Sequence, residues 1–181
     1  MRIISISNQK GGVGKTTTTV NLAASLALSK KKVLLIDLDP QGNATSGAGI
    51  NKTGLISSIY DALIEQKTIN EVVLHSEDGL FDVAAANQSL AGAEVELVGI
   101  KNREFILKKA IEGLTVKYDY ILIDCPPALN LLTVNALVAS DSVLIPMQCE
   151  YYALEGLSDL VNTIRKVKKN LNPNIEIEGL L

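Results

Sequence analysis

Hydrophobic positions along this chain fall into short aliphatic runs, separated by longer stretches in which apolar residues recur every three or four positions. The runs are Ile3-Ile4-Ser5-Ile6, Val33-Leu34-Leu35-Ile36, Phe81-Asp82-Val83-Ala84-Ala85, Tyr120-Ile121-Leu122-Ile123 and Ser142-Val143-Leu144-Ile145. Near-continuous runs of this length predict strands covered on both faces, as in a parallel sheet between helices. The stretches between them predict helices over 18–29, 55–64, 86–98, 104–116 and 131–139, and a Leu154, Leu157, Leu160, Val161, Ile164, Val167 stripe predicts another. The segment 175–181 reads as a further strand, on which the chain stops. Strand and helix alternate throughout, which predicts an α/β fold: a doubly wound, mostly parallel sheet flanked by helices. At 181 residues the expectation is a single domain over 1–181, truncated at its C-terminus.

The strongest chemistry lies between the first strand and the first helix, in Lys10-Gly11-Gly12-Val13-Gly14-Lys15-Thr16-Thr17. Glycines there let successive backbone N–H groups turn inward around an anion. The helix behind them points its positive end at the same place. In that setting Lys15 reaches the β- and γ-phosphates of a nucleotide, and the Thr16 hydroxyl takes a magnesium position. The general P-loop pattern asks for a glycine at position 9, where this chain has Gln9, and a second lysine, Lys10, stands at the mouth of the loop. With Lys15 already on the phosphates, Lys10 is read either as an exposed, solubilising lysine or as a cation reaching outward to a nucleotide on a second copy.

Two further acidic stretches follow strands. Asp37-Leu38-Asp39-Pro40-Gln41-Gly42-Asn43 ends the second run, where acidic residues face the ligand crevice of an open α/β sheet; the competing reading is an Asp-Pro turn. Ile121-Leu122-Ile123-Asp124 has the form of a Walker B strand whose carboxylate reaches the magnesium, and Pro126-Pro127 stiffen the loop after it.

Composition narrows the rest. Apolar residues make up 47% and aromatics only 4%, so the core must be aliphatic. A net charge of −3 argues against wholesale attraction to nucleic acid or anionic membrane, leaving only local patches such as Arg165, Lys166, Lys168 and Lys169, whose first reading is a helix C-terminus. Cys125 and Cys149 lack C-x-x-C spacing and read as reduced core thiols, and the lone histidine, His75, as a packed or solvated residue. No run reaches membrane-spanning length and no signal-peptide layout opens the chain, so the expected compartment is the cytoplasm, without membrane attachment.

The box at 10–17 resembles the deviant Walker A box of the ParA/MinD ATPase family, the 37–43 segment resembles that family's switch I, and Pro146-Met147-Gln148-Cys149-Glu150-Tyr151-Tyr152-Ala153-Leu154-Glu155-Gly156 resembles the partitioning ATPases called ParA or Soj. The resemblance implies ATP and Mg2+ as ligands and Gly11, Gly12, Val13, Gly14 and Thr17 as phosphate contacts beside Lys15 and Thr16. It makes Lys10 the signature lysine that crosses an ATP-dependent homodimer. It implies that Asp39 positions the attacking water, that Asp37 supports the magnesium shell beside Asp124, and that 124–127 serves as switch II. Nonspecific DNA, a DNA-bound ParB-type partner that accelerates hydrolysis, and a nucleoid location come with it. Relatives continue past this point with units that close over adenine and carry much of the basic surface. Rival readings are a MinD-like membrane-cycling ATPase, which needs an amphipathic C-terminal helix, a nitrogenase-reductase-like cluster protein, and a nucleotide-dependent scaffold.

Overall fold

The computed structural model describes residues 1–148 and 153–181, with the side chains of 153–155 not described. Cys149, Glu150, Tyr151 and Tyr152, and the readings placed on them, lie outside the described residues. Seven strands form one sheet: β1 (Arg2–Ile6), β2 (Val33–Asp37), β3 (Val73–Ser76), β4 (Phe81–Ala84), β5 (Tyr120–Asp124), β6 (Ser142–Ile145) and β7 (Glu176–Leu180), in the order β3-β4-β2-β5-β1-β6-β7. All neighbours are parallel except β3, which runs antiparallel to β4. The helices are α1 (Lys15–Leu28), α2 (Asn43–Gly47), α3 (Ile59–Leu63), α4 (Ile69–Val72), α5 (Leu90–Leu97), α6 (Ile106–Glu112), α7 (Leu131–Ala139) and α8 (Ala153–Asn170).

Pleating explains why the aliphatic runs had to be continuous. Leu34, Ile36, Ile121 and Ile123 point to one face, where they pack with Leu63, Leu97, Leu107 and Leu132 of α3, α5, α6 and α7. Val33, Leu35 and Leu122 point to the other, against α1 and α2 through Ala23 and Ala44. Each such buried aliphatic side chain contributes about 1.5–3 kcal/mol. A third cluster joins Leu160, Ile164 and Val167 of α8 to Val143 and Ile145 of β6. Helices therefore cover both faces, as the doubly wound reading requires.

Register positions the crevice. Ile6, Asp37 and Asp124 stand level on adjacent strands, so three strand ends open side by side. The chain leaves β1 toward β2 and leaves β5 in the opposite direction toward β6, and ligand crevices form at such a reversal.

Several expected boundaries shift. The helix expected over 55–64 is reduced to α3, because Ser58 and Asp61 form a capping box that starts it late, and Ile56 is left 96% exposed. The first helix begins earlier, at Lys15, since Gly14 adopts φ +91° and caps the glycine loop directly onto it. His75 lies on β3, its Nδ1 2.8 Å from Asp82 Oδ1 across the hairpin. Cys125 is a buried free thiol, as expected.

Candidate nucleotide site

The glycine loop connects β1 to α1 over the crevice. Gly12 and Gly14 have φ of +75° and +91°, conformations that a Cβ would strain. A Cβ built on Gly11, Gly12 or Gly14 would meet nothing within 4 Å, so the loop surrounds open space rather than its own atoms. Thr18 N–H closes the first turn on the Gly14 carbonyl at 2.8 Å, and the amides before it are those a helix start leaves for a ligand. The space is a cleft of about 390 Å³, bounded by Gly11, Gly12, Gly14, Lys15–Thr17, Asp39, Gln41, Asn43 and Pro127.

Lys15 is buried, and its Nζ donates to the Lys10 carbonyl at 3.1 Å. Burial pulls its pKa below the ordinary lysine value, opposed by the Asp124 and Asp39 carboxylates. The Thr16 hydroxyl donates to Asp124 Oδ2 at 2.8 Å. The sequence reading places Thr16, Asp37 and Asp124 around magnesium; of these Thr16 and Asp124 touch, although 108 residues separate them. Asp124 is fully buried at the β5 end, and burial, then the neighbouring Asp37, pushes its carboxyl up to about 7 against the Thr16 and Thr19 donors. Hydroxyl plus carboxylate is an all-oxygen donor set, the kind Mg2+ takes while keeping water and phosphate in its other positions. Among the described residues no group of three or more His, Cys, Asp or Glu side chains is placed to hold a metal.

Asp37 and Asp39 divide. Asp39 is half-buried and lines the cleft. Asp37 is fully buried, its Oδ2 accepting the Thr45 N–H and hydroxyl, both at 2.8 Å, and its Oδ1 accepting Asp39 N–H at 3.1 Å. Burial lifts its carboxyl to about 6, against those donors.

Comparison with known proteins identifies the family. Residues 1–177 match the family model described as an AAA domain. The chromosome partitioning protein ParA of Myxococcus xanthus is 58% identical over 180 residues, 99% of this chain and 64% of that protein. The sporulation initiation inhibitor protein Soj of Bacillus subtilis is 57% identical over 180 residues, 99% of this chain and 71% of that protein. The chain belongs to the ParA/Soj family. It spans about two thirds of the length of these curated relatives. Among solved structures, cobyrinic acid a,c-diamide synthase of Mycobacterium smegmatis, with bound ATP analogue and magnesium, superposes with a TM-score of 0.96 at 38% identity, covering 100% of this chain and 74% of that one.

In this member of the family, several site residues escaped the sequence reading. Thr19 lies one turn beyond Thr16, and its hydroxyl donates to the other Asp124 oxygen, Oδ1, at 2.9 Å. The signal was present in the Thr16–Thr19 run, since positions i and i+3 share a helix face. Asn8, buried, donates from Nδ2 to the Pro146 carbonyl at 2.7 Å and accepts Lys10 N–H at 3.0 Å, which shapes the entry to the loop. Gln148 Nε2 donates to the Gly12 carbonyl at 3.3 Å from beyond β6. Neither contact has a local sequence signal. Of the basic cluster on α8, Lys168 caps the following turn, donating to the Ile175 carbonyl at 2.9 Å. No helix among the described residues is long and apolar enough to cross a membrane.

Proposed function

We propose that this chain, as one nucleotide-binding unit over 1–181, is a magnesium-dependent ATPase switch that positions DNA cargo by cycling between ATP-bound and ADP-bound forms. The observation that carries this reading is the Thr16–Asp124 contact at 2.8 Å beside an open glycine cradle, with Asp39 lining the same cleft. In the proposed cycle the backbone amides of 11–17 hold the ATP phosphates and Lys15 neutralises charge on the β,γ-bridge. Thr16 and Asp124 are the residues that would hold Mg2+, which would supply Lewis-acid charge neutralisation at the phosphates. Asp39 orients a water whose oxygen bonds to the γ-phosphorus as the bond to the β-bridging oxygen breaks, with the proton passing to phosphate. Lys10 reaches the nucleotide of a second copy, so ATP favours a homodimer and hydrolysis releases it. The dimer binds DNA nonspecifically, and a DNA-bound ParB-type protein accelerates turnover. This cycle runs in the cytoplasm, on the nucleoid.

The test is the oligomeric state of the chain by light scattering with ATP, ADP and no nucleotide, for wild type and Lys10→Ala. Doubling of mass with ATP alone, lost in the variant, is expected. A monomer in every condition would leave a nucleotide binder without the dimer switch.

A further inference from the structure

We propose that Thr45 is a positioning residue for Asp39, acting through Asp37 as the hub of a clamp on the 37–45 loop; this rests on the ATPase reading above. Thr45 lies on α2, eight residues past Asp37, and is fully buried. A hydroxyl has one donor and two acceptor sites. Thr45 spends its donor on Asp37 Oδ2, at 2.8 Å, and accepts the Ala86 N–H at 2.9 Å. Ala86 lies two residues past Ala84, the last residue of β4, so the hydroxyl ties the loop to the segment leaving the neighbouring strand. The clamp continues to the cleft: Asp37 Oδ1 accepts Asp39 N–H at 3.1 Å, and Asp39 Oδ1 accepts Gln41 N–H at 2.9 Å. Asp39 is thereby fixed at its backbone through Asp37 and at its carboxylate through Gln41.

The second wall of the clamp is steric. Gly42 has φ +61°, and a Cβ there would stand 2.8 Å from the Ala86 carbonyl oxygen. The loop thus meets Ala86 twice, through the Thr45 Oγ1 that accepts its N–H and through the bare backbone of Gly42. Valine matches threonine in shape but lacks the hydroxyl. In its place the Ala86 N–H would be buried without its acceptor and Asp37 Oδ2 would lose one of two donors, which loosens the peptide carrying Asp39. Because Thr45 does not line the cleft, its loss should alter the placement of Asp39 and leave the phosphate cradle intact.

Wild type, Thr45→Val and Thr45→Ser of the full chain separate the possibilities. In nucleotide-free protein, hydrogen exchange at the Asp39 and Ala86 amides should rise by roughly tenfold or more in Thr45→Val, with β5 and α7 unchanged, and return toward wild type in Thr45→Ser. With ATP and Mg2+, kcat should fall by roughly tenfold or more in Thr45→Val while KM for ATP stays within about threefold, and Thr45→Ser should recover it. Unchanged exchange in Thr45→Val overturns the clamp, whatever the turnover. Raised exchange with wild-type kcat overturns the positioning role, as does an equal loss of ATP binding and turnover. A wild type that hydrolyses no ATP overturns the ATPase reading, and with it the catalytic purpose of a clamp whose exchange pattern would still be seen. Should Thr45→Val not fold, Thr45→Ala replaces it, and exchange equal to that of Thr45→Ser overturns the proposal.

Discussion

A methyl group added at Gly11 meets nothing within 4 Å, whereas one added at Gly42 lands 2.8 Å from the Ala86 carbonyl with its backbone at φ +61°. On the proposed reading the two glycines are needed for different reasons, one for a ligand and one for the fold. Gly11→Ala should leave the unfolding free energy within about 0.5–1 kcal/mol of wild type and remove nucleotide binding, measured by titration calorimetry. Gly42→Ala should cost about 1–3 kcal/mol in chemical denaturation, from strain and overpacking against backbone that cannot move aside. If Gly11→Ala binds ATP normally, the cradle is not where the phosphates sit. The buried carboxyls give a second expectation. In the nucleotide-free chain burial pushes Asp124 up to about 7 and Asp37 to about 6. Aspartates in an unfolded chain titrate near about 4, so between those values the folded state holds protons that the unfolded state has released. Their contribution to stability is complete below the unfolded value and is lost as pH rises through 6 and 7. Metal-free unfolding free energy should therefore be higher at about pH 6 than at about pH 8, and Asp124→Asn should flatten most of the difference. Equal stability at both would mean that the pair is already ionised in the folded protein.

At the scale of elements, α7 shows a helix end closed from a distance. Asn172 Nδ2, beyond the end of α8, donates to the carbonyls of Leu137, Val138 and Ser140 at 3.0, 3.2 and 2.7 Å. These include last-turn carbonyls that the helix itself cannot satisfy. Asn172→Ala should cost about 1–3 kcal/mol, read by denaturant titration, by leaving buried carbonyls unpaired. The bounds of β5 and α7 were legible in the sequence, because an unbroken aliphatic run and a run capped by Asn130 each have one physical solution. The β3–β4 hairpin was harder to read: Asp78-Gly79 marks its turn, but Val73-Leu74-His75-Ser76 mixes exposed and buried positions at a sheet edge and does not alternate cleanly. The candidate site divides in the same way. Lys15, Thr16, Asp39 and Asp124 were readable because their motifs are consecutive residues, and the structure gathers them at one crevice. Asn8, Thr45 and Gln148 act through partners set by fold register, at separations from 8 to 138 residues, and composition carries no trace of that.

For the molecule as a whole, the consequence of this layout is that one ligand would couple most of the sheet. The cleft draws residues from the loop after β1, the loop after β2 and the loop after β5, while Gln148 ties the segment after β6 to Gly12. A ligand bound there bridges all of these elements at once, so its binding energy appears as global stability. With MgATP at a hundred times its dissociation constant the gain is about 2.7 kcal/mol. Thermal unfolding of the full chain should thus shift upward with MgATP, shift less when a chelator removes Mg2+, and not shift in Lys15→Ala. Asp39→Ala should keep the shift while losing phosphate release, because Asp39 is assigned to the water and Lys15 to the phosphates. Equal loss of the shift in both variants would contradict that division and assign Asp39 to nucleotide binding. A full shift in Lys15→Ala would mean that the stabilising ligand sits outside the glycine cradle.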